Sequence, residues 1–221
     1  MLGDSDISSK NHYGGRVRDL KIKQDKFWGN TDNDPNDAGD NSENQVSMAN
    51  NRIYFYSEVT RPDCLHLNKN IQTLSDAMVN TSHSYGVSIP PIKLHINSYG
   101  GSVFAGLSSV DYIASSRAPI HSIVEGCAAS AATIMSVVAE KRYIRKNAYM
   151  LIHQLSSGMW GKYEELKDDM ENNERLMETI RDIYANHTKI PKKKLNEILK
   201  HDLWFDSDTC LEYGLVDEII S

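Results

Sequence analysis

At 221 residues the chain is long enough for one domain with a full hydrophobic core and short for two. Lys plus Arg total 24 against 30 for Asp plus Glu, a formal charge of -6 that excludes the dense cationic surface a phosphate backbone demands, so nucleic acid is not an expected partner. The three cysteines, Cys64, Cys127 and Cys210, make neither an even disulfide set nor a metal-type spacing and point to a reducing, cytoplasm-like compartment.

Residues 1–48 are polar, and from Gly29 to Gln45 almost every residue is Asn, Asp, Gly, Ser, Glu, Thr or Pro. Such a stretch buries too little apolar surface to offset the entropy of ordering it, so an N-terminal extension is expected there and a folded domain over 49–221. Asp34, Asn36 and Gly39 hint at a calcium loop, but Ala38 and Gln45 stand where oxygen ligands belong, and a solvated linker is the better reading. Cys64 with His66 is too small a set for zinc, so no metal site is expected. The first residues carry no basic and apolar leader pattern, and no later apolar run approaches the ~20 residues of a membrane helix, so no membrane association is expected.

From Arg52 onward short β-rich runs alternate with helical patterns. Strands are expected at Ile53–Val59, Ile92–Ile96, Ile120–Val124, Arg142–Ile144, Tyr149–His153 and Leu215–Ile219. Helices are expected at Asn68–Tyr85, Val103–Ser116, Ala129–Glu140, Lys162–His187, Lys192–Lys200 and Ser207–Tyr213. This alternation predicts an α/β domain with a largely parallel sheet. In the helix from Lys162, Tyr163, Leu166, Met170, Met177, Ile180 and Tyr184 form one apolar stripe, and Leu176 and Ile183 widen it. A stripe that wide fits burial on two sides, against the domain and a partner subunit, and equally fits a long helix on one core.

Four segments carry residue types suited to chemistry. Gly126-Cys127-Ala128-Ala129-Ser130-Ala131 follows a strand and opens a helical pattern, which sets a serine among small residues beside free N–H groups suited to an anionic intermediate. The same pattern also fits a helix that packs tightly and is capped by its serine. Asn97-Ser98-Tyr99-Gly100-Gly101 follows another strand, and its tandem glycines let the backbone approach a substrate or simply make a turn. His153 ends an apolar strand and has the proton affinity of a base at neutral pH. Asp202 lies between a basic helix and the Trp204-Phe205 pair, where a plain turn residue would also sit. Cys127 is read as a small buried thiol, and Lys192 to Lys194 as a solvated helix face.

In order and interval these segments resemble the proteolytic subunit of the ATP-dependent Clp proteases. The resemblance runs over about residues 50 to 220, through Arg52-Ile53-Tyr54-Phe55, Ile96-Asn97-Ser98-Tyr99-Gly100-Gly101, Gly126 to Ser130, Met150-Leu151-Ile152-His153-Gln154 and Glu212-Tyr213-Gly214-Leu215-Val216-Asp217. It implies the α/β fold shared with crotonases, with repeated ββα units, a largely parallel sheet flanked by helices, and a protruding strand-helix handle. It also implies a serine endopeptidase with Ser130 as nucleophile, His153 as base and Asp202 as the residue orienting the base. Asp202 lies ten residues before Glu212, the interval of the family; Asp206 and Asp208 miss that interval. The backbone N–H groups of Gly101 and Ala131 correspond to the oxyanion donors.

Further implications are heptameric rings, stacked in pairs as a tetradecamer, and an AAA+ unfoldase partner of the ClpX, ClpA or ClpC kind that uses the ATP. The chain itself would need no cofactor, and it has no phosphate-loop motif. Cytoplasm, plastid stroma or a host-cell cytoplasm would be its setting. Tyr99 replaces a proline usual in the family, Ala131 a methionine, and His201 an arginine that serves ring contacts. The alternatives are a non-catalytic subunit of the same architecture and a crotonase-like acyl-CoA enzyme, which would not require the serine, histidine and aspartate together.

Overall fold

The computed structural model describes residues 46–158 and 160–221. The calcium-loop pattern and nearly all of the expected extension, residues 1–45, lie outside the described residues. Strand β1 (Val46–Ala49) starts inside the stretch expected to precede the domain, and turns back antiparallel onto β2 (Arg52–Phe55). Then follow α1 (Arg61–Tyr85), β3 (Ile92–Ser98), α2 (Val103–Ala114), β4 (Ile120–Ala129), α3 (Ala131–Val137), β5 (Lys141–Arg145) and β6 (Tyr149–Leu151). The chain ends through α4 (Tyr163–His187), α5 (Lys192–Ile198), β7 (Trp204–Phe205), α6 (Ser207–Glu212) and β8 (Glu218–Ile220).

The main sheet runs β1-β2-β3-β4-β5-β8, parallel from β2 onward. Alternation along each strand decides its buried face: Ile53 and Phe55, Ile92, Leu94 and Ile96, Ile120 and Val124, and Ile144 enter one core with Leu67, Ile71 and Leu74 of α1. Each fully buried Ile or Leu side chain contributes about 1.5–3 kcal/mol through removal of apolar surface from water, so this seam defines the register.

Strand β4 changes partner along its length. It pairs β5 over His121–Val124 and β6 over Cys127–Ala129, and its pairing with β3 slips between Ile96 and Ser98. Gly126 sits at the change with φ 71°. This irregularity shifts the register, and beyond it Ala128 still pairs with Ser98 of β3 while Cys127–Ala129 pair with β6. Strand β6 pairs in turn with the short antiparallel β7.

Several element ends differ from expectation for local reasons. Helix α1 begins at Arg61 instead of Asn68, because Thr60 caps it by accepting the Asp63 N–H and Pro62 is tolerated in a first turn. Strand β4 runs through Ala129, where a helix was expected, and α3 starts only after Ser130. The two-residue β7 and the edge strand β1 were not expected.

Candidate active site

Ser130 stands between β4 and α3 with φ 54° and ψ -125°, a conformation that costs a non-glycine residue on the order of 1–3 kcal/mol. Its surroundings impose that geometry. The Ser130 N–H donates to the Leu151 carbonyl at 2.9 Å, and its own carbonyl accepts the Thr133 N–H at 3.0 Å and the Thr133 hydroxyl at 2.6 Å. Ser130 thus stands at the strand-to-helix corner, directly before the N–H groups of Ala131 and Ala132, which come too early in α3 to find a partner within the helix.

The glycine loop lies directly against this corner. A Cβ on Gly100 would stand 2.7 Å from Ser130 Cβ and 2.6 Å from the Ala129 carbonyl oxygen, so only glycine fits. A Cβ on Gly101 would meet the Val59 carbonyl oxygen at 2.6 Å. Val59 clamps the loop, donating its N–H to the Gly100 carbonyl and accepting the Ser102 N–H, each at 2.7 Å. Because those two bonds flank Gly101, its own N–H faces the other side of the segment.

His153 lies two residues beyond β6, and the next N–H, from Gln154, is tied to the Leu199 carbonyl at 2.7 Å. The β6–β7 register pairs Met150 with Phe205 and Leu151 with Trp204; continued by two residues, it sets His153 opposite Asp202. His153 Nδ1 is 3.1 Å from Asp202 Oδ1. The rival acids are used elsewhere: Asp206 caps α6 by accepting the Thr209 N–H at 2.9 Å, and Asp208 lies in the first turn of that helix. Ser130, Ala131, Gly101 and His153 line one cleft of about 80 Å³, whose apolar wall includes Ile134, Ile180 and Tyr184. Asp202 stands behind His153, and its side chain is about half exposed.

Cys127 is buried, its Sγ lies 3.6 Å from Asn97 Oδ1, and burial pushes its thiol up, all features of an inert thiol. Among the described residues no cluster of His, Cys, Asp and Glu is arranged to hold a metal ion, and no helix is long and apolar enough to cross a membrane. Thr133 and Tyr184 touch the corner but were not singled out from the sequence as site residues; Tyr184 was legible there only as one member of an apolar stripe. The edge-on contact of Tyr99 with Trp204, ring centroids 6.4 Å apart, likewise joins the glycine loop to the β7 segment without a sequence signal.

A separate polar cluster occupies the sheet face opposite the core. His95 Nδ1 lies 3.1 Å from Glu125 Oε1, the Tyr56 hydroxyl donates to Glu125 Oε2 at 2.5 Å, Arg145 Nε donates to Oε1 at 3.1 Å, and Tyr54 stacks on His95. Burial pulls the Glu125 carboxyl up, but hydrogen bonds from Tyr56, His95 and Arg145 outweigh it and hold the group below its ordinary value. Burial, and then the bond to Glu125, push the Tyr56 phenol up to about 12.

Comparison with known proteins agrees with this architecture. The family model described as Clp protease matches residues 48–221. The ATP-dependent Clp protease proteolytic subunit of Deinococcus radiodurans is 33% identical over 131 residues, 58% of this chain and 64% of that one. The proteolytic subunit 2 of Treponema denticola is 34% identical over 131 residues, 58% of this chain and 66% of that one, so the chain spans just under two thirds of the length of these relatives. Among solved structures, a point mutant of ClpP1 from Listeria monocytogenes superposes with a TM-score of 0.65 at 26% identity, covering 75% of this chain and 88% of that one. The mixed sheet flanked by helices is the fold of that neighbour, and with the family model spanning all but a few of the described residues, the chain belongs to the Clp protease family.

Proposed function

We propose that the chain is a serine endopeptidase that cleaves polypeptides by acyl transfer at Ser130. The observation that carries this reading is the strained serine sharing one cleft with His153, whose far nitrogen lies 3.1 Å from Asp202. In this reading His153 Nε2 takes the Ser130 hydroxyl proton as Oγ attacks the peptide carbonyl, and returns it to the departing amine. Water then attacks the acyl-enzyme with His153 again as base. Asp202 holds the imidazole with Nδ1–H toward itself, so that Nε2 faces the serine. The N–H groups of Gly101 and Ala131 stabilise the oxyanion of the tetrahedral intermediate, a contribution worth on the order of 10²–10³ in kcat for one donor in enzymes of this kind.

The relatives are named as proteolytic subunits of an ATP-dependent protease, which supports a division of labour. An AAA+ unfoldase, a separate chain, consumes ATP and delivers unfolded polypeptide; short peptides enter unaided. Rings of seven subunits, stacked in pairs in a cytoplasm-like compartment, enclose the sites. The three cysteines, all free and buried, are compatible with a reducing setting. The test is hydrolysis of a fluorogenic peptide by wild type and Ser130→Ala, with the particle mass measured by light scattering on both. Ring-sized particles of equal mass and a rate reduced at least ~10³-fold in Ser130→Ala are expected, since removing a triad member leaves little beyond binding and the oxyanion hole. Equal rates would remove Ser130 from the chemistry.

A further inference from the structure

The carbonyl of Ser130 is gripped by a buried hydroxyl relay. Thr133 Oγ1 donates to that carbonyl at 2.6 Å, and the Tyr184 hydroxyl lies 2.5 Å from Thr133 Oγ1. A threonine hydroxyl has one proton, and here it is spent on the carbonyl, so Tyr184 is the donor in the second bond. Both side chains are essentially excluded from solvent. Burial pushes the Tyr184 phenol well above its ordinary value, so it keeps the proton it donates. A donor on the Thr133 oxygen also polarises the Thr133 O–H and strengthens its bond to the carbonyl.

The gripped carbonyl and the Ala131 N–H belong to one peptide unit. That unit is planar and trans, so its C=O and N–H point in opposite directions, and fixing one aims the other. Tyr184 belongs to α4, of which only Ile180 and Tyr184 are buried, while Tyr163 and Met170 in its first half are exposed. The relay therefore runs from the part of α4 seated on the core to the peptide that follows the serine.

We propose that Thr133 and Tyr184 are positioning residues: their hydroxyl relay holds the Ser130 carbonyl and thereby aims the Ala131 N–H at the oxyanion. This rests on the reading of Ser130 as nucleophile and deepens it. Misaiming one donor costs less than deleting it, so Thr133→Val and Tyr184→Phe each lower kcat about 10- to 30-fold while KM stays within about twofold. The double variant is no slower than Thr133→Val alone, because the two hydroxyls act as one chain. Thr133→Ser, which keeps the hydroxyl, retains kcat within about threefold.

The experiment is steady-state hydrolysis of one fluorogenic peptide by the 221-residue chain and these four variants, well below each melting temperature, together with inhibition by a peptide boronate and by the matching product peptide. Boronate affinity, which depends on a tetrahedral adduct and its oxyanion, should fall in parallel with kcat, and product affinity should not change. Unchanged kcat in Thr133→Val and Tyr184→Phe, with only lower melting temperatures, would overturn the proposal, as would a Thr133→Ser variant as slow as Thr133→Val. A Ser130→Ala control as active as wild type would instead sink the nucleophile reading, and the relay proposal would fall with it.

Discussion

Ser130 has a positive φ without being glycine, a distinction it shares among the described residues only with Asn50. The strain persists because fixed partners oppose its release: the Leu151 carbonyl, the Thr133 N–H and hydroxyl, and a glycine loop packed against its Cβ. Gly100 is the most sensitive of these. With φ 96° and no room for a Cβ, Gly100→Ala must displace either the loop or the serine corner. We expect peptide hydrolysis to fall at least ~10²-fold, since a displacement near 1 Å in a reacting group costs about that much. Gly86, also at positive φ but with nothing within 4 Å of an added Cβ, provides the control: Gly86→Ala should lower stability by about 1–2 kcal/mol through backbone strain alone and leave kcat unchanged.

At the scale of elements, the cap of α1 links the helix to the site. Thr60 accepts the Asp63 N–H and donates to Asp63 Oδ2 at 2.7 Å, and Ser57 donates to the same oxygen at 2.7 Å. Val59, which clamps the glycine loop, lies between those two residues. Thr60→Ala should cost about 1 kcal/mol, the usual worth of such a cap, read as a lower melting temperature at fixed chain concentration. The periodic centres of the long elements were legible in the sequence: the core faces of β3 and β4 and the motifs around Ser130 and His153; of the α4 stripe only the C-terminal end, Ile180 and Tyr184, is buried, whereas Tyr163 and Met170 are exposed. The ends of the elements were not legible. Gly126-Cys127-Ala128-Ala129 has little intrinsic strand preference, and β4 extends through it because β6, and β3 at Ser98, offer it partners. The proximity of Asp202 to His153 follows from the β6–β7 register, and two residues of β7 carry no readable period; the sequence offered only an interval. Thr133 and Tyr184 were invisible as a pair because 51 residues separate them and each reads as ordinary core.

Across the whole molecule, one sheet face is packed against helices and the other bears the cluster of Tyr56, His95, Glu125 and Arg145, which ties β3, β4 and β5 to one another and, through Tyr54 stacked on His95, to β2. Its titration gives stability a pH dependence at both ends. Glu125 has a folded pKa below its ordinary 4.5, so its contribution is fully present above that value and lost as pH falls through the lower one. Tyr56 is raised from 10.0 to about 12, so its contribution is present below pH 10.0 and lost as pH rises through about 12. Melting curves across pH should therefore show an acid limb that flattens in Glu125→Gln and an alkaline limb that flattens in Tyr56→Phe. We propose that this scaffold brings Ser130, His153 and Asp202 together as one catalytic unit. The sharpest check is to label the 221-residue chain with a fluorophosphonate and locate the adduct by mass spectrometry in wild type and His153→Ala. An adduct on Ser130 in wild type that is lost in His153→Ala is expected; an adduct on another residue, or equal labelling of both proteins, would rule out the triad.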